Sequence, residues 1–286
     1  EMPNDPTHSV YVWIDAMSNY YTALGRPAIG DEYDDAGAKY WPATVHLIGK
    51  DILWFHAVYW PCMLMALDVP LPRTVFAHGW WTSNGKKMSK SLGNFVSREQ
   101  IAEICTEYSV DVYRWFLMRA VTFGGDGDFS AQTLRTKYNT ELANGVGNLL
   151  SRTVNMIGRY FEGTVPPAGE VGPDEQEVIA SAQRLVSGAE QAMRNYQFHV
   201  LLDDVVSLVD ATNRYIDQTA PFKLAKDPSQ RSRLATIMAT CAQAVCIALA
   251  QLEPIMPTTA RLGLEQLGVD GPAPAESAAW GERLKG

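Results

Sequence analysis

Short apolar runs separated by longer amphipathic segments characterise the first eighty residues. The runs predict strands at 11–14, 44–48 and 74–78, and the segments between them predict helices, the second from Ile52 to about Leu67. This alternation of strand and helix indicates a parallel sheet with crossover helices. Because ligands in such sheets bind beyond the carboxyl ends of the strands, the polar residues at those ends are candidate site residues.

Helical periodicity dominates the chain from residue 97 onward. Ser97 with Gln100 three residues later is typical of a helix N-terminus, and helices are predicted at 100–108 and 110–120. After a break rich in glycine and aspartate, long helices are predicted at 131–160, 174–194, 199–219, 230–251 and 258–267. The predicted fold class is therefore α/β plus all-α, with an α/β half-domain at 1–96, a connector at 97–130 and a helical bundle at 131–286.

Composition argues against several classes of protein. A net charge of -8 argues against a protein that coats nucleic acid over its whole surface, but it permits a local basic face. The four cysteines have no CxxC spacing, so no zinc site is predicted, and reduced buried thiols are expected, as in a cytoplasmic protein. The apolar stretch from Thr236 to Leu252 is short and contains glutamines, which favours a buried helix over a membrane span.

The segment at 84–94, NGKKMSKSLGN, places three lysines and two serines between two glycines. Glycine lets the backbone approach an anion, lysine supplies a mobile positive charge, and serine hydroxyls donate further hydrogen bonds. Such a loop could stabilise the charge that develops on the β- and γ-phosphates of ATP when a carboxylate attacks its α-phosphorus. For any lysine-rich loop, the alternative is a solvated turn with ordinary surface lysines.

Residues 87–91 read KMSKS, which resembles the motif of class I aminoacyl-tRNA synthetases letter for letter. The resemblance implies an ATP site in which Lys87 and Lys90 are catalytic. It implies nucleotide contacts from Gly49, Asp51, Ile52, Trp81 (through its backbone), Lys87, Met88, Ser89 and Lys90. Asp51 could accept a hydrogen bond from a ribose hydroxyl, or it could cap the helix that follows. Mg2+ is expected only together with the nucleotide, and no metal site is predicted in the chain.

Three stretches resemble methionyl-tRNA synthetases in particular, namely 11–16 (YVWIDA), 46–52 (HLIGKDI) and 55–61, which contains FH and WP. Within them, Ile52, His56 and Trp60 are spaced four apart and share a helix face that could contact a thioether, since sulfur packs well against aromatic rings. Plain core packing is the alternative. The resemblance implies that L-methionine is bound by Trp13, Ala16, Tyr20, Ile52, His56 and Trp60.

Two residues depart from the expected pattern in this region. Met17 stands where some members of the family have proline, so the wall of the pocket could differ there. Pro61 lies inside the predicted helix and is expected to kink it.

Polar residues recur every three or four positions along the predicted helix at 131–160 and form a stripe opposite its apolar residues. The stripe consists of Glu141, Asn144, Asn148, Arg152, Asn155 and Arg159. Amide and guanidinium groups near an aromatic ring suit unstacked bases, whereas a solvated bundle face is the alternative. By resemblance, Asn148 and Arg152 read the anticodon of tRNA(Met). Phe222 is expected to stack on a base, although the family often has the larger Trp at this position.

The resemblance covers only the second part of the family's sequence. The HIGH motif, the first half of the nucleotide-binding sheet and the inserted metal-knuckle domain are not in this sequence. The implied fold is therefore the second half of a Rossmann-like parallel sheet, a stem-contact connector and a helical-bundle anticodon-binding domain. The implied function is ATP-dependent activation of L-methionine and its transfer to tRNA(Met). We expect the chain to need the N-terminal half of the synthetase as a partner.

Three other functions stay open at this level. A class I synthetase for leucine, valine or isoleucine would share the lysine loop but not the set formed by Trp13, His56 and Trp60. A non-catalytic tRNA-binding module would bind RNA without ATP or methionine. A nucleotide-binding enzyme with no RNA partner would not depend on Asn148 or Arg152.

Overall fold

The computed structural model describes residues 4–5, 7–9, 11–25, 39–83, 85–88 and 93–269. The chain forms two compact units. One comprises Glu1–Trp80 with Gly124–Asp126, and the other comprises Trp81–Phe123 with Gly127–Gly286. These units are defined by packing alone, so the functional boundaries placed after residues 96 and 130 stay predictions.

The first unit contains a parallel sheet, as predicted, but among the described residues it has two strands and not the three that the sequence suggested. β1 (His46–Gly49) pairs with β2 (Val75–His78), and Gly49 lies opposite His78. Side chains alternate along β1, so that His46 and Ile48 are buried whereas Leu47 is exposed. The carboxyl ends of the two strands therefore lie side by side.

The strand predicted at 11–14 is wrong, because Val12–Thr22 form a helix, α1. The residues of this region that pack into one apolar cluster recur every three or four positions: Trp13, Met17, Tyr21 and Leu24. That spacing is helical. Val12 and Ile14 belong to the apolar run that suggested a strand, but both side chains are exposed. A run of four apolar residues is too short to distinguish a strand from one turn of a helix.

The predicted helix from Ile52 to Leu67 is present, but it combines three helical geometries. A 3₁₀ turn at Lys50–Ile52 leads to a π-helical segment at Phe55–Tyr59 and then to helix α2 (Trp60–Ala66). Pro61 lies in the first turn of α2, where a missing N–H removes no hydrogen bond within that helix. The irregular geometry thus precedes the proline at which the sequence predicted a disturbance.

A small three-stranded sheet, which was not predicted from the sequence, opens the second unit. β3 (Trp81–Ser83) pairs antiparallel with β4 (Lys86–Lys87) and parallel with β5 (Gly127–Phe129). β5 overlaps the segment that was predicted to be a break between helices. Strands of two or three residues are too short to show an alternating pattern in the sequence.

Helices form most of the second unit, close to their predicted positions. They are α3 (Arg98–Glu107), α4 (Val110–Arg119), α5 (Ala131–Lys137), α6 (Asn148–Phe161), α7 (Pro173–Arg194), α8 (Phe198–Thr219), α9 (Pro221–Leu224), α10 (Arg231–Leu252) and α11 (Pro257–Gln266). A π-helical segment, Tyr138–Gly147, joins α5 to α6. The predicted cap of α3 is confirmed, because the Ser97 hydroxyl accepts from the Gln100 N–H and the Gln100 side chain accepts from the Ser97 N–H.

Helix α10 is the central helix of the bundle and packs against α6, α7 and α8. Within the described part of the chain, Pro228–Leu252 is the one segment long and apolar enough to cross a membrane by length and composition, but 78% of its most apolar stretch is buried in the protein. The prediction of a buried helix is therefore confirmed.

A buried carboxylate connects three helices of the bundle. Glu175 of α7 is fully buried and accepts hydrogen bonds from the Gly172 N–H at 2.7 Å, from the Tyr215 hydroxyl and from Arg233 at 2.6 Å. Burial alone would raise the pKa of Glu175, but the three donors outweigh burial and lower it. Because Tyr215 lies in α8 and Arg233 in α10, the network fixes the mutual positions of α7, α8 and α10.

Candidate active site and RNA-binding surface

Aromatic residues of the first unit cluster around His56. The Tyr20 hydroxyl oxygen lies 2.9 Å from His56 Nε2, and the Trp13 ring lies edge-on to the His56 ring with 6.2 Å between centroids. The Tyr20 and Trp60 ring centroids are 6.1 Å apart. The structure therefore brings together these four of the six residues that were predicted to bind methionine.

This aromatic cluster has buried and accessible members. His56 and Trp60 are each 1% exposed, whereas Tyr20 is 38% exposed. Ala16 is exposed one turn before Tyr20 on α1, and the Ile52 carbonyl accepts a hydrogen bond from His56 Nδ1 at 3.0 Å. The accessible residues lie on α1, and the buried residues lie on the helical segment that follows β1.

Met17, the residue that departs from the family pattern, is buried with Trp41, Trp60 and Leu64 in the core of the first unit. It therefore packs in the core that surrounds the Trp60 ring. The Met17 side chain therefore belongs to the core and not to the accessible surface of the aromatic cluster.

A tight turn follows β1 at the carboxyl end of the parallel sheet. A Cβ atom at Gly49 would lie 2.7 Å from Asp51 Oδ1, so a larger residue at this position would displace the Asp51 carboxylate. Asp51 lies inside the 3₁₀ turn, which has no capping hydrogen bond from a side chain. This geometry disfavours the capping role that the sequence had left open for Asp51. The Asp51 carboxylate instead lies 3.5 Å from the Trp80 indole nitrogen, which donates to it.

Lys50 is held by an ion pair at the same sheet end. Its ammonium donates to both carboxylate oxygens of Asp126 at 2.7 Å and lies 4.5 Å from the centroid of the Trp80 ring. Asp126 also accepts from the Trp80 N–H at 2.8 Å, and these two donors lower its pKa. At the end of β2, the His78 ring donates from Nδ1 to the Gly79 carbonyl at 2.8 Å.

The lysine loop begins in the small sheet of the second unit. Lys86 and Lys87 form β4 and are exposed, whereas Met88 packs against the helical core. The Asn94 side chain donates to the Lys87 carbonyl at 3.1 Å and so connects the two ends of the loop. Ser89 and Lys90 lie outside the described residues, and their predicted roles stay predictions.

Asp128 binds the first turn of the loop. Its Oδ1 atom accepts hydrogen bonds from the Thr82 hydroxyl at 2.6 Å and from the Gly85 N–H at 2.7 Å, and both lower the pKa of Asp128. Gly85 has a φ of +72°, a conformation that favours glycine.

Trp81, in the neighbouring strand β3, packs its ring near that of Phe116, at 6.4 Å between centroids. The side chain of Trp81 therefore packs against the core, and the nucleotide contact through its backbone stays a prediction.

The two residues predicted to read the anticodon lie together on α6. Arg152 donates to Asp217 at 2.6 Å and, more weakly, to the Asn213 side-chain carbonyl at 3.5 Å. The Asn148 amide donates to the same Asn213 oxygen at 3.4 Å. Asn213 and Asp217 belong to α8, so these polar groups already have partners on the neighbouring helix.

Glu141, which the predicted polar stripe included, has a different environment. It is half-buried and binds Arg119 at 2.8 Å and Lys137 at 3.2 Å. Because Glu141 lies in the π-helical segment, its angular position differs from the one that a regular α-helix predicts. The open part of the stripe therefore begins after it.

Phe222 is 49% exposed in α9, directly after α8.

The predicted stem-contact segment forms hydrogen bonds within the helical bundle. The Asp111 carboxylate accepts from the Thr259 N–H at 2.6 Å, and Arg114 donates to the Ile255 carbonyl at 2.8 Å. Both side chains bind the region where α11 begins, which is a structural role.

Comparison with known proteins identifies the family. The profile of the tRNA synthetases class I (M) matches residues 1–154, which is more than half of the chain. The chain belongs to the class I tRNA synthetases (M). This synthetase chain is 46% identical over 269 residues to the methionine–tRNA ligase of Caldanaerobacter subterraneus subsp. tengcongensis and 45% identical over 270 residues to that of Bacillus subtilis. The resemblance to methionyl-tRNA synthetases is confirmed.

Solved structures agree with this assignment. Mycobacterium tuberculosis methionyl-tRNA synthetase in complex with methionyl-adenylate matches with a TM-score of 0.87 and 36% identity, over 100% of this chain and 55% of that chain. The apo form of the same enzyme matches with a TM-score of 0.84 and 33% identity. The synthetase chain therefore has the class I fold, rich in helices and with a small parallel sheet. The chain spans about two fifths of the length of the curated relatives that it matches. In the Caldanaerobacter alignment, 94% of this chain aligns with 41% of the relative.

The structure adds three residues to the candidate sites that the sequence did not single out. His46 of β1 contacts the aromatic cluster, Asp128 binds the lysine loop, and Asp217 binds Arg152. A histidine inside an apolar strand is a signal that could have drawn attention to His46. The roles of the two aspartates depend on contacts between distant segments, and no local pattern indicates them.

Proposed function

We propose that this chain forms part of a methionyl-tRNA synthetase that activates L-methionine with ATP and transfers it to tRNA(Met). The observation that carries the proposal is the aromatic cluster of Trp13, Tyr20, His56 and Trp60, joined by the hydrogen bond between Tyr20 and His56 at 2.9 Å. An aliphatic and aromatic surface suits an unbranched thioether. The relatives that share this chain's sequence are named methionine–tRNA ligases, which supports the same substrate.

The activation step requires a group that stabilises charge on the leaving pyrophosphate. The methionine carboxylate attacks the α-phosphorus of ATP, a P–O bond forms, and the bond to the β-phosphate oxygen breaks. Lys87 and Lys90 would stabilise the negative charge on the departing oxygens. The exposure of Lys87 at the end of a strand that Asp128 and Asn94 help to hold supports this role. Preorganised donors of this kind act more strongly in the transition state than in the ground state.

The remaining nucleotide contacts follow from the turn after β1 and from β3. Gly49 allows close approach at the end of the sheet, Asp51 supplies an acceptor for a ribose hydroxyl, and the Trp81 backbone lies beside the base of the loop. Within the described residues, no group of three side chains could hold a metal ion. Mg2+ would arrive bound to the phosphates of ATP, as the resemblance to the family implies.

The second step transfers the methionyl group to the 3′ end of tRNA(Met), and the helical unit would bind that RNA. Asn148 and Arg152 would contact the anticodon bases, and Phe222 would stack on one of them. The positions of these residues support the proposal. Asn148 and Arg152 are hydrogen-bonding side chains one turn apart on α6, and Phe222 is an exposed ring just after α8. Base stacking on an aromatic ring tolerates a change from Trp to Phe, since both present a π-face.

The synthetase would act in the cytoplasm.

The synthetase would also need its N-terminal half. An exposed aromatic surface on the first unit supports the need for this N-terminal half. Tyr11 and Tyr59 are 58% and 49% exposed and flank Phe55 at centroid distances of 6.3 and 5.7 Å. Large exposed apolar patches are typical of sites where another part of a protein binds, and these three rings would belong to such a patch.

Exchange of pyrophosphate into ATP tests the proposal. We expect methionine-dependent exchange when this chain is combined with the N-terminal half, and none by the chain alone. Leucine, valine and isoleucine serve as controls for the other class I substrates. Binding of tRNA(Met) by the combined protein without any exchange would favour a non-catalytic RNA-binding module, and exchange with one of the control amino acids would overturn the methionine assignment.

A further inference from the structure

His46 is a buried histidine next to the candidate methionine pocket, and no role follows for it from the proposed contacts. It opens β1 and is 7% exposed. The Trp60 indole nitrogen donates to His46 Nε2 at 3.1 Å, and the Tyr20 ring lies 4.6 Å from the His46 ring between centroids. His46 therefore contacts two of the residues that were predicted to bind methionine, from a different element of the fold.

The hydrogen-bond partners determine where the protons lie. An indole nitrogen can only donate, so His46 Nε2 must carry the lone pair, and His46 must be the neutral Nδ1–H tautomer. The Ile52 carbonyl can only accept, so His56 Nδ1 carries a hydrogen. The Tyr20 hydroxyl oxygen lies 2.9 Å from the other ring nitrogen of His56, Nε2.

The environment of His46 favours the neutral ring. Burial lowers the pKa of His46, and the nearby His56 ring, at 6.2 Å between centroids, lowers it further. Besides His56, Tyr20 is the titratable group in ring contact with His46 among the described residues. At pH 7, His46 is therefore an acceptor rather than a cation.

These bonds have a consequence for the ligand. The Trp60 indole hydrogen is directed to His46 and the His56 Nδ1 hydrogen to the Ile52 carbonyl, so neither hydrogen is available to a bound amino acid. A thioether needs no strong donor. The oxygen of a sulfoxide or an amide would be buried without a partner beside these rings, which costs binding affinity.

We propose that His46 is a positioning residue of the methionine pocket, where it fixes the Trp60 ring and withholds the indole N–H from the bound amino acid. The inference rests on the proposed function and deepens it, because it assigns part of the selection for methionine over its oxygenated analogues to a residue beneath the pocket. His46 acts through Trp60 and does not itself touch the substrate.

The test compares two substitutions in the synthetase with its N-terminal half present. His46→Leu removes the acceptor, whereas His46→Gln keeps an acceptor oxygen near the position of Nε2. We expect His46→Leu to raise the KM for methionine in pyrophosphate exchange roughly five- to tenfold and to lower the preference for methionine over methionine sulfoxide by a similar factor. His46→Gln should retain at least part of both values.

A double-mutant cycle with Trp60→Phe separates positioning from a general structural effect. Phe has no N–H, so His46→Leu should change the preference for methionine much less in the Trp60→Phe background. His199→Leu is the matched control, since His199 lies in the other unit and its buried Nδ1 has no partner among the described residues. It should leave the preference unchanged.

The indole N–H signal of Trp60 in an NMR spectrum of this chain provides a readout that is independent of catalysis. It should shift in His46→Leu and stay closer to wild type in His46→Gln. An unchanged preference for methionine in His46→Leu, or an equal change in the Trp60→Phe background, would overturn the proposal. If the wild-type protein shows no methionine-dependent exchange, the proposed function fails. The indole signal still shows, independently of exchange, whether Trp60 contacts His46.

Discussion

Removal of the Arg152 side chain should separate tRNA recognition from methionine activation. Arg152 is half-buried on α6 and donates to Asp217, which is 68% exposed on α8. In the proposed function, the guanidinium contacts an anticodon base, while activation takes place on the residues of the other unit and on the lysine loop. Arg152→Ala removes the RNA contact and leaves both of those groups of residues unchanged.

The structure sets the expected magnitudes. An ion pair with one strongly exposed partner contributes about 0.2–1 kcal/mol to stability, so the free energy of unfolding should fall by no more than about 1 kcal/mol. A hydrogen bond from a charged group to RNA contributes about 1.5–3 kcal/mol. The kcat/KM for tRNA charging should therefore fall between about tenfold and about 150-fold.

Three assays distinguish an RNA-binding role of Arg152 from a structural role. Urea unfolding of the chain measures stability, pyrophosphate exchange measures activation, and charging of tRNA(Met) measures the RNA contact. Arg214→Ala is the matched control, because Arg214 forms a similar exposed pair with Glu177 at 2.7 Å. It should leave charging unchanged. A parallel loss of charging and activation in Arg152→Ala, or a loss of several kcal/mol of stability, would mean that Arg152 has a structural role.

Three further substitutions test other parts of the molecule. Lys87→Ala should lower the rate of adenylate formation about 100-fold with little change in the KM for methionine, and equal effects on both would contradict a transition-state role. Asp128→Ala should speed trypsin cleavage at Lys86 and Lys87 severalfold, as followed by mass spectrometry, because the first turn of the loop loses its acceptor; an unchanged rate would show that Asp128 does not hold the loop. Glu175→Gln should lower the free energy of unfolding by about 2–3 kcal/mol at pH 7, measured in urea. Since the pKa of Glu175 is lowered in the fold, wild-type stability should fall as pH drops below 4.5, the ordinary pKa of a glutamate, while the variant loses less over that range.

The helical bundle could be predicted well from the sequence because its signals are local and long. Helices of 22 residues, such as α7, α8 and α10, repeat the apolar period several times. Short elements were predicted poorly, because they are too short to repeat a periodic pattern. The four residues at 11–14 fit a strand or a helix equally well, and the helix is evident only from the packing of Trp13, Met17, Tyr21 and Leu24 into one cluster.

The candidate pocket could be predicted in part, because three of its residues lie on one helical segment at a spacing of four. Their relation to α1 required the resemblance to a known family. His46 was missed although it lies near Trp60 in the sequence, since the contact joins a strand to a helix and depends on the turn between them. The bond between Asp128 and Gly85 joins residues that are 43 positions apart. No periodic pattern encodes such a distance.

Internal pairing of polar groups is common to both candidate sites. The Trp60 indole is bound by His46, Lys50 by Asp126, and Arg152 by Asp217. Each pair fixes a side chain before any substrate is present, so less conformational entropy is lost on binding. The cost differs with burial. At the exposed Asp217 a ligand can replace the partner for about 1 kcal/mol or less, whereas the buried contact of Trp60 with His46 offers no such exchange. The first kind of pair therefore suits a group that must release its partner to bind RNA, and the second suits a wall that must not change when a small apolar side chain binds.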